Sequence, residues 1–322
     1  MGKRRLSQQQ LARIKNRQSD QQQQFAEKEI DPKATLAGLV ITRFGASVLV
    51  ETETGELIPC HQRQNLGHVV AGDNILWQLV GEKEGVVVNI LPRQSFLTRP
   101  TMNHPNKPIA ANVDQMFIVV APEPEPSPHL IDRYLIAAEL FQLKPLLIFN
   151  KIDQDLTPQL KQLQLLYEAL GYPVFLISAT QELGLAQLSE QFSDHTNIVV
   201  GQSGVGKSSI VNSMLPDLDL KTAAVSELTG LGKHTTTGAT LYHLPKGGDL
   251  IDSPGVRNFR LGNATRREIE QGFPEIRPFI GQCKFRDCSH HQEPDCAIQK
   301  GLAAKQIHPL RLDSFLRIIN EL

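Results

Sequence analysis

The run Gly201-Gln202-Ser203-Gly204-Val205-Gly206-Lys207-Ser208 has the glycine spacing of a loop whose backbone N–H groups wrap phosphates. In such a loop Lys207 reaches the β- and γ-phosphates of a nucleotide and the Ser208 hydroxyl ligates Mg²⁺, with the adjoining Ser209 counted among the binding residues. An ordinary glycine turn is the blander alternative. It needs neither the apolar run Ile198–Val200 that precedes the loop nor the helical stretch Ile210–Leu215 that follows and turns its dipole toward an anion.

A phosphate loop does not choose the base. Asn150-Lys151-Ile152-Asp153, directly after the apolar run Leu146–Phe149, does so, because the Asp153 carboxylate can accept from both guanine N1–H and the exocyclic amine. Read alone, the tetrapeptide could merely cap the next helix. Ser178-Ala179 also follows a strand and would set backbone N–H groups near guanine O6. Asp252-Ser253-Pro254-Gly255 offers a carboxylate to the Mg²⁺ shell and the Gly255 N–H to the γ-phosphate. Between these lies Gly230-Leu231-Gly232-Lys233-His234-Thr235-Thr236-Thr237, a glycine-hinged polar loop of the kind that orders on a triphosphate. Thr236 is the expected Mg²⁺ ligand, with Thr235 and Thr237 as rivals. The ligands that follow are GTP or GDP and Mg²⁺.

Hydrolysis needs a group that orients water. Ras-like enzymes place a glutamine just after their Asp-x-x-Gly motif, where this chain has Val256, which can neither polarise nor position water. His234 is the candidate within the chain, acting together with Thr236, since a histidine can orient water near neutral pH. A group supplied by a partner is the alternative, and a histidine that only shapes the loop is the blander one.

Of four cysteines, Cys283, Cys288 and Cys296 fall close together with His290 among them, which argues for a metal and against a disulfide scaffold. Three thiolates and one imidazole make a closed tetrahedral Zn²⁺ site with no position open for chemistry, so the metal would be structural. The spacing departs from the commoner C-x2-C pairs. Reduced buried cysteines remain an alternative reading, and His291 could replace His290 as ligand.

These residues need elements to hold them. Short apolar stretches alternate with turn residues from Leu36 to Ile90 and predict five strands, Leu36–Ile41, Ser47–Glu51, Leu57–Cys60, Ile75–Val80 and Val86–Ile90, in a small β-barrel. Arg99 to Ala110, with Pro100, Pro105 and Pro108, reads as a linker that continues neither a strand nor a helix. From Val113 buried runs alternate with helical patterns, the βαβ signature of a parallel sheet. After Phe259 the chain turns helical and polar, passes the cysteines and ends on Leu312, Phe315, Leu316 and Ile319 at helical spacing. The expected division is a tail over 1–34, a barrel over 35–98, an α/β P-loop domain over 110–260 and a small α-rich zinc module over 261–322. Residues 1–20 set Lys3, Arg4, Arg5, Arg13, Lys15 and Arg17 against Asp20 alone, and Gln21 to Gln24 follow, a composition that reads as disordered.

With 33 Lys and Arg against 34 Asp and Glu, the formal charge is −1, so any affinity for nucleic acid must come from local basic patches. No apolar run approaches the roughly 20 residues that cross a bilayer, so no membrane partner and a cytoplasmic location are expected.

In the usual GTPase order the phosphate loop comes first, whereas here Asn150–Asp153 and Ser178 precede Gly201, so the domain is circularly permuted. The permuted order, the five-strand barrel, the loop from His234 to Thr237 and the cysteine cluster closely resemble the ribosome small-subunit-dependent GTPase A family over roughly residues 35 to 322. The resemblance implies an oligonucleotide-binding (OB-fold) barrel, a permuted GTPase domain and a C-terminal zinc module in which His290 is the fourth ligand. It also implies an enzyme, slow alone, that binds the 30S subunit and its 16S rRNA late in maturation, is stimulated by it and leaves after hydrolysis; a monomer is expected. A nucleotide-gated RNA-binding assembly factor with incidental hydrolysis is the competing reading that Val256 keeps open.

Overall fold

The computed structural model describes residues 35–63, 66–81, 83–99, 107–154, 157–218, 222, 225, 239–252, 261 and 264–321. The N-terminal tail over 1–34 lies outside them. Five strands open the fold: β1 (Leu36–Phe44), β2 (Ser47–Thr52), β3 (Leu57–Gln62), β4 (Asn74–Leu79) and β5 (Gly85–Ile90). Antiparallel pairs β1–β2, β2–β3, β4–β5 and β1–β4, with a parallel β3–β5 pair, close them into the expected barrel. Alternation explains the closure, because every second side chain points inward: Val48 and Val50, Ile58 and Cys60, Ile75 and Trp77. Trp77 fills the interior so fully that a Cβ added at Gly85 would stand 2.6 Å from its ring.

Of the expected linker from Arg99 to Ala110, residues 100–106 lie outside the described residues, and the ends on either side of them belong to a β-ribbon. β6 (Phe96–Arg99) and β7 (Lys107–Ala111) pair antiparallel, Leu97 opposite Ala110 and Arg99 opposite Lys107. Pro108 is tolerated because the outer side of β7 is bridged only further along, at Ala110 to Ala71, and the register slips beside it, between Leu97 and Thr98. Buried Leu97, Ala110 and Ala111 anchor the ribbon.

The central sheet comprises β8 (Gln115–Val120), β9 (Lys144–Phe149), β10 (Val174–Leu176), β11 (Thr196–Gly201), β12 (Thr240–His243) and β13 (Asp249–Asp252). Their order is β10-β9-β8-β11-β13-β12, parallel except for β12, which returns antiparallel to β13. All six residues of β8 are buried, as in a strand covered on both faces. The covering helices are α1 (Pro128–Leu140), α2 (Pro158–Ala169), α3 (Leu185–Phe192) and α4 (Lys207–Met214). Ser127 and Thr157 cap α1 and α2 by accepting from the Leu130 and Leu160 N–H groups, each with proline in the first turn.

One junction was not foreseen. Thr42 of β1 pairs with Thr240 of β12, so barrel and central sheet form a single sheet of eleven strands. Thr240 Oγ1 donates to Thr42 Oγ1 at 3.1 Å, and Thr42 Oγ1 donates to the Ala239 carbonyl at 3.0 Å, all buried.

The C-terminal helices are α5 (Arg266–Gln271), α6 (Ala297–Ala303) and α7 (Pro309–Asn320). Ile269, Phe273, Ile298, Leu312, Phe315 and Ile318 form a core that reaches Ile136 of α1. Leu316 and Ile319 are only half-buried; Ile318 takes the inward position. No helix among the described residues is long and apolar enough to cross a membrane.

Candidate nucleotide site and metal centre

The loop between β11 and α4 is shaped by its glycines. Gly201 has φ 141° and Gly206 φ 95°, and a Cβ would stand 2.4 Å from the Val119 carbonyl oxygen at the first and 2.2 Å from Asn150 Nδ2 at the second. Both backbone and neighbours exclude any other residue there. Val205 is buried between them, Gln202 half-buried, and Ser203, Gly204, Ser208 and Ser209 face solvent. Lys207 Nζ donates to the Gly201 carbonyl at 2.8 Å and also to that of Gln202, so the ammonium lies across the loop's mouth. Gly201, Lys207, Ser208 and Asp252 line one cavity of about 80 Å³, which brings the expected phosphate and Mg²⁺ residues of two separate loops together.

Asn150 directly follows β9 and is 2% exposed. Its Nδ2 donates to the Val205 carbonyl at 2.9 Å, and its Oδ1 accepts from the Ala179 N–H at 3.1 Å. One side chain therefore ties together the loops that follow β9, β10 and β11, all at the carboxyl edge of the sheet, where open α/β folds bind ligands. Lys151 adopts φ 66° and its Nζ donates to the Glu123 carbonyl at 2.7 Å. Ile152 N–H donates to the Ile177 carbonyl at 3.2 Å, leaving the Asp153 side chain exposed at the rim.

Ser178 is buried. Its hydroxyl accepts from the Gln181 N–H and its own N–H donates to the Leu183 carbonyl. In this conformation the Ser178 and Ala179 N–H groups are both engaged within the protein, and a guanine O6 would compete with Asn150 Oδ1 for the second. The segment Glu123–Pro124, between β8 and α1, was missed from the sequence although it meets Lys151 and lies beside Gly204. A main-chain carbonyl carries no signature. His234, Thr235, Thr236, Thr237, Ser253, Pro254, Gly255 and Val256 lie outside the described residues.

In the C-terminal module, ligand atoms of Cys283, Cys288, His290 and Cys296 all lie within 4.8 Å of one another. Cys283 Sγ is 3.8 Å from Cys296 Sγ, and each of these sulfurs is 3.5 Å from His290 Nδ1. Zn–S and Zn–N bonds at tetrahedral angles require edges of about 3.8 and 3.6 Å, so the cage fits zinc. His291 is exposed and stands outside the cluster. The apolar surroundings, with the Cys296 and Cys283 sulfurs, push the Cys288 thiol up to about 12, a shift that a bound cation reverses by taking the thiolate. The cage is braced from outside: the Ala297 N–H donates to Cys283 Sγ at 3.4 Å, and Gln299 Nε2 donates to the His290 carbonyl.

The RsgA GTPase family model matches residues 90–262. A small ribosomal subunit biogenesis GTPase RsgA from Pseudomonas syringae pv. syringae is 45% identical, the match covering 100% of this chain and 98% of the relative, and one from Azotobacter vinelandii matches equally. Among solved structures, YjeQ from Thermotoga maritima superposes with a TM-score of 0.72 at 31% identity over 89% of this chain and 98% of that one. YloQ, described as a circularly permuted GTPase, gives 0.68 at 27% over 91% and 97%. Sharing sequence end to end with these relatives, and with the guanine motif ahead of the phosphate loop on one permuted sheet, this chain belongs to the RsgA GTPase family.

Proposed function

We propose that this GTPase acts on the small ribosomal subunit during its late maturation, hydrolysing GTP to GDP and phosphate as a timed release step. The observation that carries the nucleotide reading is the Asn150 side chain, which holds the expected guanine loop to the expected phosphate loop. The partner is supported by relatives 45% identical over their length that are named for small-subunit biogenesis.

In this reading Asp153 accepts from the guanine edge, the loop from Gly201 to Gly206 cradles the phosphates, and Lys207 leaves the Gly201 carbonyl for the β- and γ-phosphates. Mg²⁺, held by Ser208 and Thr236 with Asp252 in its outer shell, would neutralise charge on the phosphate oxygens. His234 orients the attacking water, and the Gly255 N–H senses the γ-phosphate. The Cys283, Cys288, His290 and Cys296 cage holds one structural Zn²⁺. The protein works as a cytoplasmic monomer, its barrel, basic tail and zinc module meeting 16S rRNA through phosphate contacts, so binding weakens as salt rises.

The test is GTP turnover by the wild type and by His234→Ala, each with and without purified 30S particles, beside GDP affinity. Strong stimulation of the wild type, with a variant that binds GDP normally but stays slow, supports both partner and catalytic histidine. No stimulation removes the ribosomal reading, and equal stimulation of the variant moves the catalytic group to the ribosome.

A further inference from the structure

Arg311 is a guanidinium from the C-terminal module buried inside the GTPase domain, 1% exposed. From the first turn of α7 its Nη1 donates to Asp132 Oδ1 of α1, and its Nε and Nη2 reach the two carboxylate oxygens of Glu275 at 2.5 and 3.2 Å. Its guanidinium carbon lies 4.4 Å from the Phe273 ring centroid. Asp132 Oδ1 also accepts from the Tyr167 hydroxyl of α2 at 2.7 Å. One cation thus joins three helices, two of which flank β9: α1 enters that strand and α2 leaves the loop that ends it. That loop is Asn150–Asp153.

A second contact acts on the same helix. Glu321, just past α7, meets His129 Nε2 at 3.0 Å and Arg133 Nη2 at 2.6 Å in the first turns of α1. Those turns come a few residues after Glu123–Pro124, where the Glu123 carbonyl holds Lys151. The C-terminal helix therefore fixes the start of α1, the segment before it and the partner helix α2. All three bear on the loop whose exposed Asp153 would meet the base.

We propose that Arg311 is a positioning residue for guanine recognition: through Asp132 and Tyr167 it locks α1 to α2 and so sets the Asn150–Asp153 loop from the C-terminal module. A buried ion pair is a poor source of net stability, since apolar residues of similar volume often serve as well, but it fixes one geometry. The charge is kept here where orientation matters. By linkage, whatever displaces α7 weakens guanine nucleotide binding, and bound nucleotide resists that displacement. The inference rests on reading Asn150–Asp153 as the guanine loop.

The test replaces the whole network by apolar residues in the full chain, Asp132→Leu and Glu275→Leu with Tyr167→Phe and Arg311→Met, so that no buried carboxylate loses its cation, and measures GDP affinity, affinity for inorganic tripolyphosphate with Mg²⁺, and zinc content. GDP binding is expected to weaken about tenfold while tripolyphosphate, which needs only the phosphate loop, binds unchanged. Unchanged GDP affinity in the folded variant overturns the proposal, as does an equal loss for both ligands, which would mean general loosening. Should that fourfold variant not fold, Tyr167→Phe alone decides, with a weakening of about threefold expected for GDP only. Asp153→Asn serves as the control. If it abolishes GDP preference while the network variants do not, only this inference falls; if it leaves GDP affinity intact, the guanine reading falls and carries this one with it.

Discussion

The Asn150 side-chain amide donates to the Val205 carbonyl oxygen at 2.9 Å, so the loops after β9 and β11 are tied to each other. Asn150→Ala leaves the buried Val205 carbonyl without its donor, at about 1–3 kcal/mol, and also frees the half-buried Ala179 N–H. GDP affinity is expected to fall at least tenfold, by roughly 1.4 kcal/mol or more. Asn150→Asp should be worse still, because it sets a carboxylate oxygen against the Val205 carbonyl. Titration with a fluorescent GDP analogue measures both, and wild-type affinity in the alanine variant would refute the tie.

Zinc content is the next expectation. The edges of the Cys283, Cys296 and His290 triangle are already those of a metal-filled tetrahedron, so the chain should carry one zinc per molecule. Cys288→Ser should lose it and loosen the core around Phe273 and Phe315, while leaving the barrel intact. Elemental analysis gives the stoichiometry, and proteolysis of the C-terminal module reports the loosening. A Cys288→Ser protein that keeps its zinc would point to a different fourth ligand.

What the sequence made legible was chemistry dictated by local backbone. Glycines at 201 and 206 are required by positive φ and close neighbours, and the barrel strands announce themselves by alternation. What stayed hidden was long-range and non-periodic. Thr42 and Thr240 lie 198 positions apart, Asp132 and Arg311 179 apart, and a lone threonine on a strand or a lone charge on a helix looks like any solvent-facing residue. Proline content suggested a linker at 99–110, because proline argues against central strands but says nothing against a two-stranded ribbon in which Pro108 has no strand on its outer side. Asn150 was legible as part of a guanine motif; its bond to Val205 became visible only when the two loops met in space.

The barrel is joined to the central sheet through Thr42, and Thr42→Val is nearly isosteric. It leaves the Ala239 carbonyl without its donor and the Thr240 hydroxyl without its acceptor. A loss of about 1–3 kcal/mol is expected. Trp77, the single tryptophan, sits in the barrel core, so its fluorescence during urea unfolding reads the barrel directly. An unchanged midpoint would show that the hydroxyl chain does not secure the junction.

A second bond across that junction is set by pH. His243 of β12 lies between Asp249 of β13, 2.6 Å from its Nδ1, and Glu51 of β2 in the barrel, 2.7 Å from its Nε2. Chiefly the hydrogen bond to Asp249, with Glu51 adding to it against partial burial, raises the histidine from its ordinary 6.5 to about 9. The folded state therefore holds this proton more tightly than the unfolded chain. The stabilisation is complete below the unfolded value and is lost as pH rises from 6.5 through about 9. His243→Gln should accordingly lower the urea midpoint of Trp77 fluorescence more at pH ~6 than at pH ~10, where the wild-type imidazole is also neutral. The side chain is about half exposed, so added salt should shrink the difference at the lower pH. A difference that does not change between those two pH values would mean that His243 is held by packing and not by its charge.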